Sequence, residues 1–397
     1  MGAGVDPLAA QWPLFAVVPS LLAALALPFL HPQRNDVGPG RGTLDRALLG
    51  VVLALAHWIL IGYSIAFGPD AWAGLFGEPG RHFAFDQVSH SAVQGEVRGP
   101  SFAFALQQMA LAAMPLALLL GVFADRIRFG VSIVFALFWS ALVYGPVAHW
   151  VWGGGLLSAP FLSTLAGAGA IDTTGGAVVH LSAGASALAL TLVLGPRQRS
   201  QQEPDRESGA WILPLAGGAF FLGALGLAAG VAPVGSASSA VAATLAAGAG
   251  GAVGWMLVEW FHKGNVTESR LALGLAAGTI GVAPVAGGVG APAALLLGSV
   301  AGVVVCVSLH ILGRRLNPLN ASVVGLHGVG GATGTVLAGV FCRNDLNPAA
   351  RDGLLLGVGE QLTAQAIAVA LIAAYAFGAT WALARLLRFT TGDVVER

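Results

Sequence analysis

Long apolar runs alternate with short polar and charged segments along the whole chain. A helix needs about 20 mainly apolar residues to cross a lipid bilayer, so each run predicts one membrane span. Eleven such runs are present, at residues 10–30, 47–67, 101–124, 130–152, 175–195, 209–230, 238–261, 271–287, 291–313, 322–342 and 361–387. The pattern predicts an all-α polytopic membrane protein with eleven transmembrane helices. We expect a single membrane domain over residues 1–397, with a short cytoplasmic tail at 388–397.

The basic residues favour one orientation of these spans. Lys and Arg accumulate in cytoplasmic loops. If the amino terminus lies outside, all but four of the 19 basic residues fall in segments on the inner side. The four on the outer side are Arg81, Arg98, Arg343 and Arg351. An error in the number of spans would scramble this asymmetry. We therefore predict an amino-terminus-out, carboxyl-terminus-in topology in the plasma (inner) membrane of the cell.

The composition excludes most soluble functions. Charged residues make up 10% of the chain and hydrophobic residues 56%, with a mean hydropathy of +0.78. Soluble domains average about 25% charged residues, so too few polar groups remain here to cover a surface in water. Acidic and basic residues balance at 19 each, and no nucleic-acid partner is expected. The 57 glycines predict closely packed helices, because small residues let helix backbones approach each other in lipid.

Two histidines occupy equivalent places in a repeated motif. His180 and His327 are each followed by two variable residues, a small residue, Gly, Ala and then Ser or Thr. They lie 147 residues and five predicted spans apart, so the two halves cross the membrane in opposite directions. This arrangement predicts an inverted repeat of spans 1–5, at about 10–195, and spans 6–10, at about 209–342, plus one further helix. Transport proteins with this plan place their site near the midplane, where the repeats meet.

A pore role for His180 and His327 competes with simpler explanations. Single membrane histidines often bridge helices by hydrogen bonds, and we assign that role to His57, His149 and His310. Ionisable groups are costly in lipid, so a pair at equivalent repeat positions instead predicts a shared polar path. A neutral imidazole carries one donor and one acceptor, and two adjacent rings can pass on a hydrogen bond or exchange a proton. A metal site is the rival explanation, but no third ligand is evident, and we expect neither a metal nor another cofactor.

Five local motifs, taken in order, resemble those of the ammonium transporter (Amt/MEP/Rh) family. They are GYSIAFG at 62–68, ADRIRF at 124–129, PVAHWVWGGG at 146–155, IDTTGGAVVH at 171–180 and GLHGVGG at 325–331. Their order and spacing, and the number of predicted spans, agree with that family. The resemblance implies the ammonium-transporter fold and a homotrimer in which each subunit encloses its own narrow hydrophobic pore.

The resemblance also implies roles for individual residues. Matched on these motifs, His180 and His327 are the pore pair that ammonia passes after ammonium has lost its proton at an outer vestibule. Asp172 stabilises that vestibule by holding backbone carbonyls toward the cation and could take part in deprotonation, or it could simply cap the fifth span. Trp152 presents its ring to the cation, a contact worth about 0.5–2 kcal/mol, or it could be an interfacial anchor.

Several positions depart from the family pattern. Leu111 and Leu227 stand where the family has the two phenylalanines of its stacked gate, and Val231 replaces a serine that would help to hold the ion. Leucine can still exclude water, but it has no ring to attract a cation. The segment 317–322 before His327 has no carboxylate, span 1 lacks the Phe-Tyr-Gly-Gly signature, and the tail is short for regulation by PII-type proteins. These changes predict a divergent member with a more hydrophobic entrance.

Three functions are compatible with this sequence. The leading one is transport of ammonium as ammonia, with or without a proton. The alternatives are a non-conducting ammonium sensor and a channel for another small solute, such as methylamine, water or carbon dioxide. An enzyme is the least favoured, because the sequence offers no nucleophile with its base and no cofactor-binding motif.

Overall fold

The computed structural model describes residues 11–31, 41–88, 101–196, 211–232, 236–266 and 268–391. Over these ranges the chain is largely helical and forms no β-strand; an isolated bridge joins Asp70 and Gly77. The prediction of an all-α membrane protein is confirmed.

Eleven helical segments correspond to the predicted spans. They are α1 Trp12–Leu30, α2 Gly42–Phe67, α3 Phe102–Val122, α4 Phe129–Val151, α5 Gly176–Leu194, α6 Ile212–Val231, α7 Ala237–Lys263, α8 Arg270–Val285, α9 Ala291–Leu312, α10 Pro318–Phe341 and α11 Glu360–Thr391. Within the described ranges, ten of these are long and apolar enough to cross a membrane, and α8 is a shorter apolar helix. Short helices at Ala159–Ala166, Phe83–Phe85 and Leu354–Leu356 lie in the connections.

The observed helix ends lie within five residues of the predicted ones, and two of them have an identifiable cause. Helix α8 ends in a 3-10 turn that contains Pro284, and the chain then turns through Gly287, whose φ is +85°. Helix α11 continues to Thr391, past the predicted start of the tail at residue 388. Its last turns are fixed because Arg388 donates a hydrogen bond of 3.0 Å to the carbonyl of Val193, near the end of α5.

The prediction of close packing through glycine is clearest between α7 and α9. A Cβ on Gly298 would collide with the backbone oxygen of Ala247, and a Cβ on Gly302 would collide with that of Gly251. The two backbones are therefore in direct contact, which is possible only without side chains at these positions. Dispersion contacts of this kind stabilise helix pairs in lipid, where no hydrophobic effect drives association.

The repeated motif has a structural explanation at the crossing of α5 and α10. A Cβ on Gly184 would collide with the backbone of Gly328, and a Cβ on Gly331 would lie 2.6 Å from the backbone oxygen of Gly176. Each copy of the motif thus supplies a glycine that lets its helix touch the other helix. The repeated motif thus coincides with a close crossing of α5 and α10.

Both crossing helices contain a π-helical turn, which lies at the start of α5 and inside α10. The turns span Gly176–Leu181 in α5 and Val324–Val329 in α10, and each contains the histidine of its motif. In the first turn, the backbone N–H of His180 donates to the carbonyl of Gly175, five residues earlier. Single π-turns occur often at functional sites, because they change the direction in which a side chain projects.

Candidate functional site

His180 and His327 meet where α5 crosses α10. Their Nδ1 atoms lie 3.0 Å apart, and the two rings stack with planes 16° apart and centroids separated by 5.1 Å. Both side chains are buried. Two neutral imidazoles at this distance share one hydrogen bond, in which one Nδ1 donates and the other accepts.

A third histidine extends this pair. Nε2 of His31, directly after α1, lies 3.1 Å from Nε2 of His327, and Nδ1 of His31 lies 2.8 Å from the hydroxyl oxygen of Ser322. His31 is itself buried, with 2% of its surface exposed. The sequence analysis missed this residue. An ionisable side chain at the end of an apolar span was the available signal.

A small cavity lies beside His180, with room for about one water-sized molecule. The side chains that line it are those of Met114, Thr174, His180, Phe220, Ala224, Leu227, Thr244, Thr279, Val282 and Ala283. None of them carries a formal charge when the histidine is neutral. The cavity therefore suits a small neutral molecule that can form hydrogen bonds.

Three threonines contribute the other polar atoms of the cavity. The hydroxyls of Thr174, Thr244 and Thr279 each donate to a backbone carbonyl, at 3.0, 2.8 and 2.8 Å. Because each hydroxyl proton is already used, the threonine oxygens retain lone pairs as acceptors. An occupant that donates hydrogen bonds matches this lining better than one that only accepts them.

The two predicted gate positions lie in different surroundings. Leu227 lines the cavity, whereas Leu111 is fully buried in the core and Met114, one helical turn later, is the α3 residue at the cavity wall. Phe220, two turns before Leu227 on α6, places the edge of its ring against His180, with centroids 6.0 Å apart and planes at 82°. The sequence analysis missed Met114 and Phe220, although the seven-residue spacing on α6 indicated a shared helix face.

Asp172 lies in the connection before α5 and holds the start of that helix. One carboxylate oxygen accepts from the backbone N–H of Gly175 and Gly176, and the other from those of Ala177 and Val178, at 2.7–2.9 Å. The carboxylate of Asp172 therefore caps the start of α5. Burial raises the pKa of this carboxyl to about 6, against the opposing effect of the four N–H donors, so it is mostly ionised at neutral pH.

Trp152, directly after α4, is joined to the same segment. Its indole Nε1 donates a hydrogen bond of 2.6 Å to the backbone carbonyl of Asp172. Ile171 is fixed in turn by Gln365 of α11, which bonds the N–H and the carbonyl of that residue at 2.8 and 2.9 Å. Hydrogen bonds from Trp152, from the start of α5 and from α11 thus hold the segment 171–172 in place.

The remaining histidines named in the sequence analysis lie away from the pair. Nδ1 of His310 donates to the carbonyl of Cys306 in its own helix, and Nδ1 of His149 donates to the carbonyl of Ala66. Nε2 of His57 is buried without a hydrogen-bond partner. In the described part of the chain, no group of three or more His, Cys, Asp or Glu side chains could hold a metal ion.

A scan of family models matches residues 44–396 to the Ammonium Transporter Family. The chain belongs to the ammonium transporter family. An ammonium transporter from Bacillus subtilis is 33% identical over 93% of this chain and 89% of that protein. A putative ammonium transporter from Methanothermobacter thermautotrophicus is 37% identical over 88% of this chain and 83% of its own length.

Two solved Mep2 structures share the fold of this chain. Mep2 from Saccharomyces cerevisiae matches with a TM-score of 0.86 and 24% identity over 100% of this chain and 88% of that structure. Mep2 from Candida albicans matches with a TM-score of 0.85 and 25% identity over 99% and 86% of the two chains. Helix α1 and His31 lie before the matched residues of the family model, yet this ammonium transporter fold includes them.

Proposed function

We propose that the chain transports ammonium across the membrane and passes it as ammonia beside His180 and His327. The observation that carries this proposal is a buried imidazole pair next to a cavity for about one small molecule, in a member of the ammonium transporter family. The lining offers the hydrogen-bond partners that ammonia needs and no fixed charge to trap an ion.

The physics of desolvation favours a neutral passenger in this cavity. Removing an ion from water into an apolar passage costs many kcal/mol, even after the protein relaxes. Ammonia loses only neutral hydrogen bonds and can replace them at His180 and the threonine oxygens. The ammonium ion must therefore give up a proton no later than at His180, and it continues along the apolar passage as ammonia.

Asp172 and Trp152 form the proposed entrance. The carboxylate of Asp172 fixes the start of α5, and its backbone carbonyl orients the Trp152 indole. A cation that stops over that indole would gain about 0.5–2 kcal/mol. Asp172 thus acts on the ion by positioning the groups around it. The proposed activity is transport of ammonium and not enzyme catalysis.

Leu227, Met114 and Phe220 form the proposed hydrophobic constriction, whereas Leu111 is buried in the core outside the cavity lining. Aliphatic side chains exclude water as well as aromatic ones, so the passage stays dry. Fewer rings face a cation here, which predicts weaker recruitment of ammonium. We also propose that three copies assemble and that the multi-pass chain lies in the plasma membrane.

The test is reconstitution of the purified protein into liposomes, followed by an ammonium concentration jump. Membrane current and an internal pH dye are recorded for wild type, His180→Ala and His327→Ala. His310→Ala is the matched control, because its imidazole hydrogen-bonds a carbonyl of its own helix and its ring contacts His262 rather than the histidine pair. We expect a response that saturates with ammonium and falls at least about tenfold in the two pore variants alone.

Other outcomes would contradict this proposal. An equal loss in all three variants would remove the pore pair from the mechanism. A folded wild-type protein that is silent with ammonium but conducts methylamine or water would be a channel for another solute. Silence toward every solute would favour a non-conducting sensor.

A further inference from the structure

We infer, on the basis of the transport function proposed above, that His31 extends the histidine pair into a three-imidazole proton wire that ends on Ser322. The wire consists of three consecutive contacts: 3.0 Å between His180 and His327, 3.1 Å between His327 and His31, and 2.8 Å between His31 and Ser322. Each distance is within hydrogen-bond range, and each group is buried.

The hydrogen bonds of the wire must all have the same donor-to-acceptor direction. His327 uses both ring nitrogens on other imidazoles, Nδ1 toward His180 and Nε2 toward His31. A neutral imidazole has one N–H and one lone pair, so all bonds along the wire must point in the same direction. If His180 donates from Nδ1 to His327, its Nε2 carries the lone pair and is an acceptor toward the cavity. If His180 instead accepts at Nδ1, its Nε2 carries the N–H and is a donor.

The direction with Nε2 of His180 as acceptor permits a balanced proton transfer. Ammonium gives one proton to Nε2 of His180 and becomes ammonia. The Nδ1 proton of His180 passes to Nδ1 of His327, and the Nε2 proton of His327 passes to Nε2 of His31. His31 gives its Nδ1 proton to the hydroxyl of Ser322, whose own proton passes to water. Each transfer breaks one N–H or O–H bond and forms another, so atoms and charge balance.

The imidazole rings must reorient before the wire can carry a second proton. After one proton has passed, every imidazole carries its proton on the other nitrogen. Each ring must then turn about its Cβ–Cγ bond before the next transfer. Of the residues in the wire, His180 alone lines the cavity, so the proton's route beyond His180 is separate from the space that would hold ammonia.

The chemistry of its partner distinguishes His31 from the other histidines. Nδ1 of His149 and Nδ1 of His310 bond backbone carbonyls, which only accept and so end any chain of proton transfers. Nε2 of His149 lies 3.6 Å from the Asp70 carboxylate, outside hydrogen-bond range. A hydroxyl both accepts and donates, so Ser322 can pass a proton onward. His31 directly follows α1, and Ser322 lies near the start of α10. The distribution of basic residues places both helix ends on the cytoplasmic side.

A metal site does not explain the three histidines. A metal ion requires its ligands to converge on one centre about 2 Å from each nitrogen. Here the nitrogens are paired with one another, and the rings of His31 and His327 meet edge to face, at 66°. A linear arrangement of paired nitrogens fits proton transfer.

The experiment compares two readouts for four variants in liposomes. Ammonium-dependent current reports the proton, and uptake of ¹⁵N-labelled ammonium driven by an acidic interior reports ammonia, after subtraction of protein-free liposomes. The variants are His31→Leu, His31→Gln, Ser322→Ala and the control His310→Leu. Glutamine retains a donor and an acceptor but its amide does not exchange protons by tautomerism, so it separates proton transfer from hydrogen bonding.

We expect the current to fall at least about tenfold in both His31 variants and in Ser322→Ala, while labelled uptake stays within about twofold of wild type. The control retains both signals. Unchanged current in His31→Gln would overturn the proton wire, and so would a parallel loss of current and uptake. A wild type with uptake but no current would refute the wire and leave transport intact. A wild type with neither signal would refute the proposed function as well.

Discussion

Gly184→Ala is the substitution that best tests how α5 and α10 support the histidine pair. The added methyl group would meet the backbone N and Cα of Gly328, next to His327. Backbone atoms cannot rotate away as a side-chain end can. The two helices must therefore separate by about 1 Å to restore ordinary van der Waals contact.

This separation sets the magnitude of the expected effect. The Nδ1 atoms of His180 and His327 are 3.0 Å apart, so a shift of about 1 Å takes them beyond hydrogen-bond range. A misplacement of this size costs about 100-fold in a reaction that depends on alignment. Overpacking costs about 1–3 kcal/mol of stability, partly offset by up to about 1 kcal/mol from replacing glycine in a helix.

Transport in liposomes and thermal unfolding in detergent measure these two effects. Gly378→Ala in α11 is the matched control, because a Cβ there has no neighbour within 4 Å. We expect Gly184→Ala to lose most ammonium-dependent transport and to unfold at lower temperature, while Gly378→Ala keeps both. If Gly184→Ala transports at the wild-type rate, a close crossing of α5 and α10 is not needed for function and the reasoning fails.

Three further predictions concern the entrance and the cavity. Asp172→Asn replaces one acceptor oxygen by a donor and leaves two of four backbone N–H groups unpaired, so we expect a loss of about 1–3 kcal/mol for each, measured by thermal unfolding. Phe220→Ala enlarges the cavity beside His180, and we expect uptake of methylammonium relative to ammonium to rise by about tenfold. Gln365→Leu leaves both backbone groups of Ile171 without their partner, and we expect a lower unfolding temperature in detergent.

Each of these three predictions can be checked against a control variant or a contradicting result. Asp345→Asn, at an exposed ion pair with Arg343, is expected to leave stability unchanged, and an equal loss there would remove the special role of Asp172. Phe389→Ala, at a ring that is 88% exposed, is the control for selectivity. An unchanged methylammonium ratio in Phe220→Ala would show that the ring does not limit solute size. Wild-type unfolding of Gln365→Leu would show that the entrance segment is held by other contacts.

The chain's hydrophobic pattern predicted most of the architecture because lipid imposes a simple rule. A span must be apolar over about 20 residues, and this length is visible in sequence without any knowledge of packing. Ten described helices meet that criterion, near the predicted positions. The exact helix ends depend on neighbouring residues and so are not visible in hydropathy. Pro284 and Gly287 lie where α8 ends, and a hydrogen bond from Arg388 to Val193 holds the last turns of α11.

Part of the site was also accessible from sequence. The repeated motif singled out His180 and His327, and the structure brings their rings into contact. Asp172 was noted from a local motif, and its capping bonds reach only three to six residues along the chain. Local motifs reveal contacts of this kind because the partners are close in sequence.

The sequence by itself determined the helical class, the approximate spans, the family resemblance and the paired histidines. Only the tertiary structure decided that His31 contacts His327, 296 residues away, and that Met114 and Phe220 rather than Leu111 face the cavity beside His180. The physical reason is that hydropathy specifies which residues leave water but not which neighbours they meet. Those neighbours are set by helix crossings, and small residues such as Gly184 fix the crossing to within a fraction of an ångström.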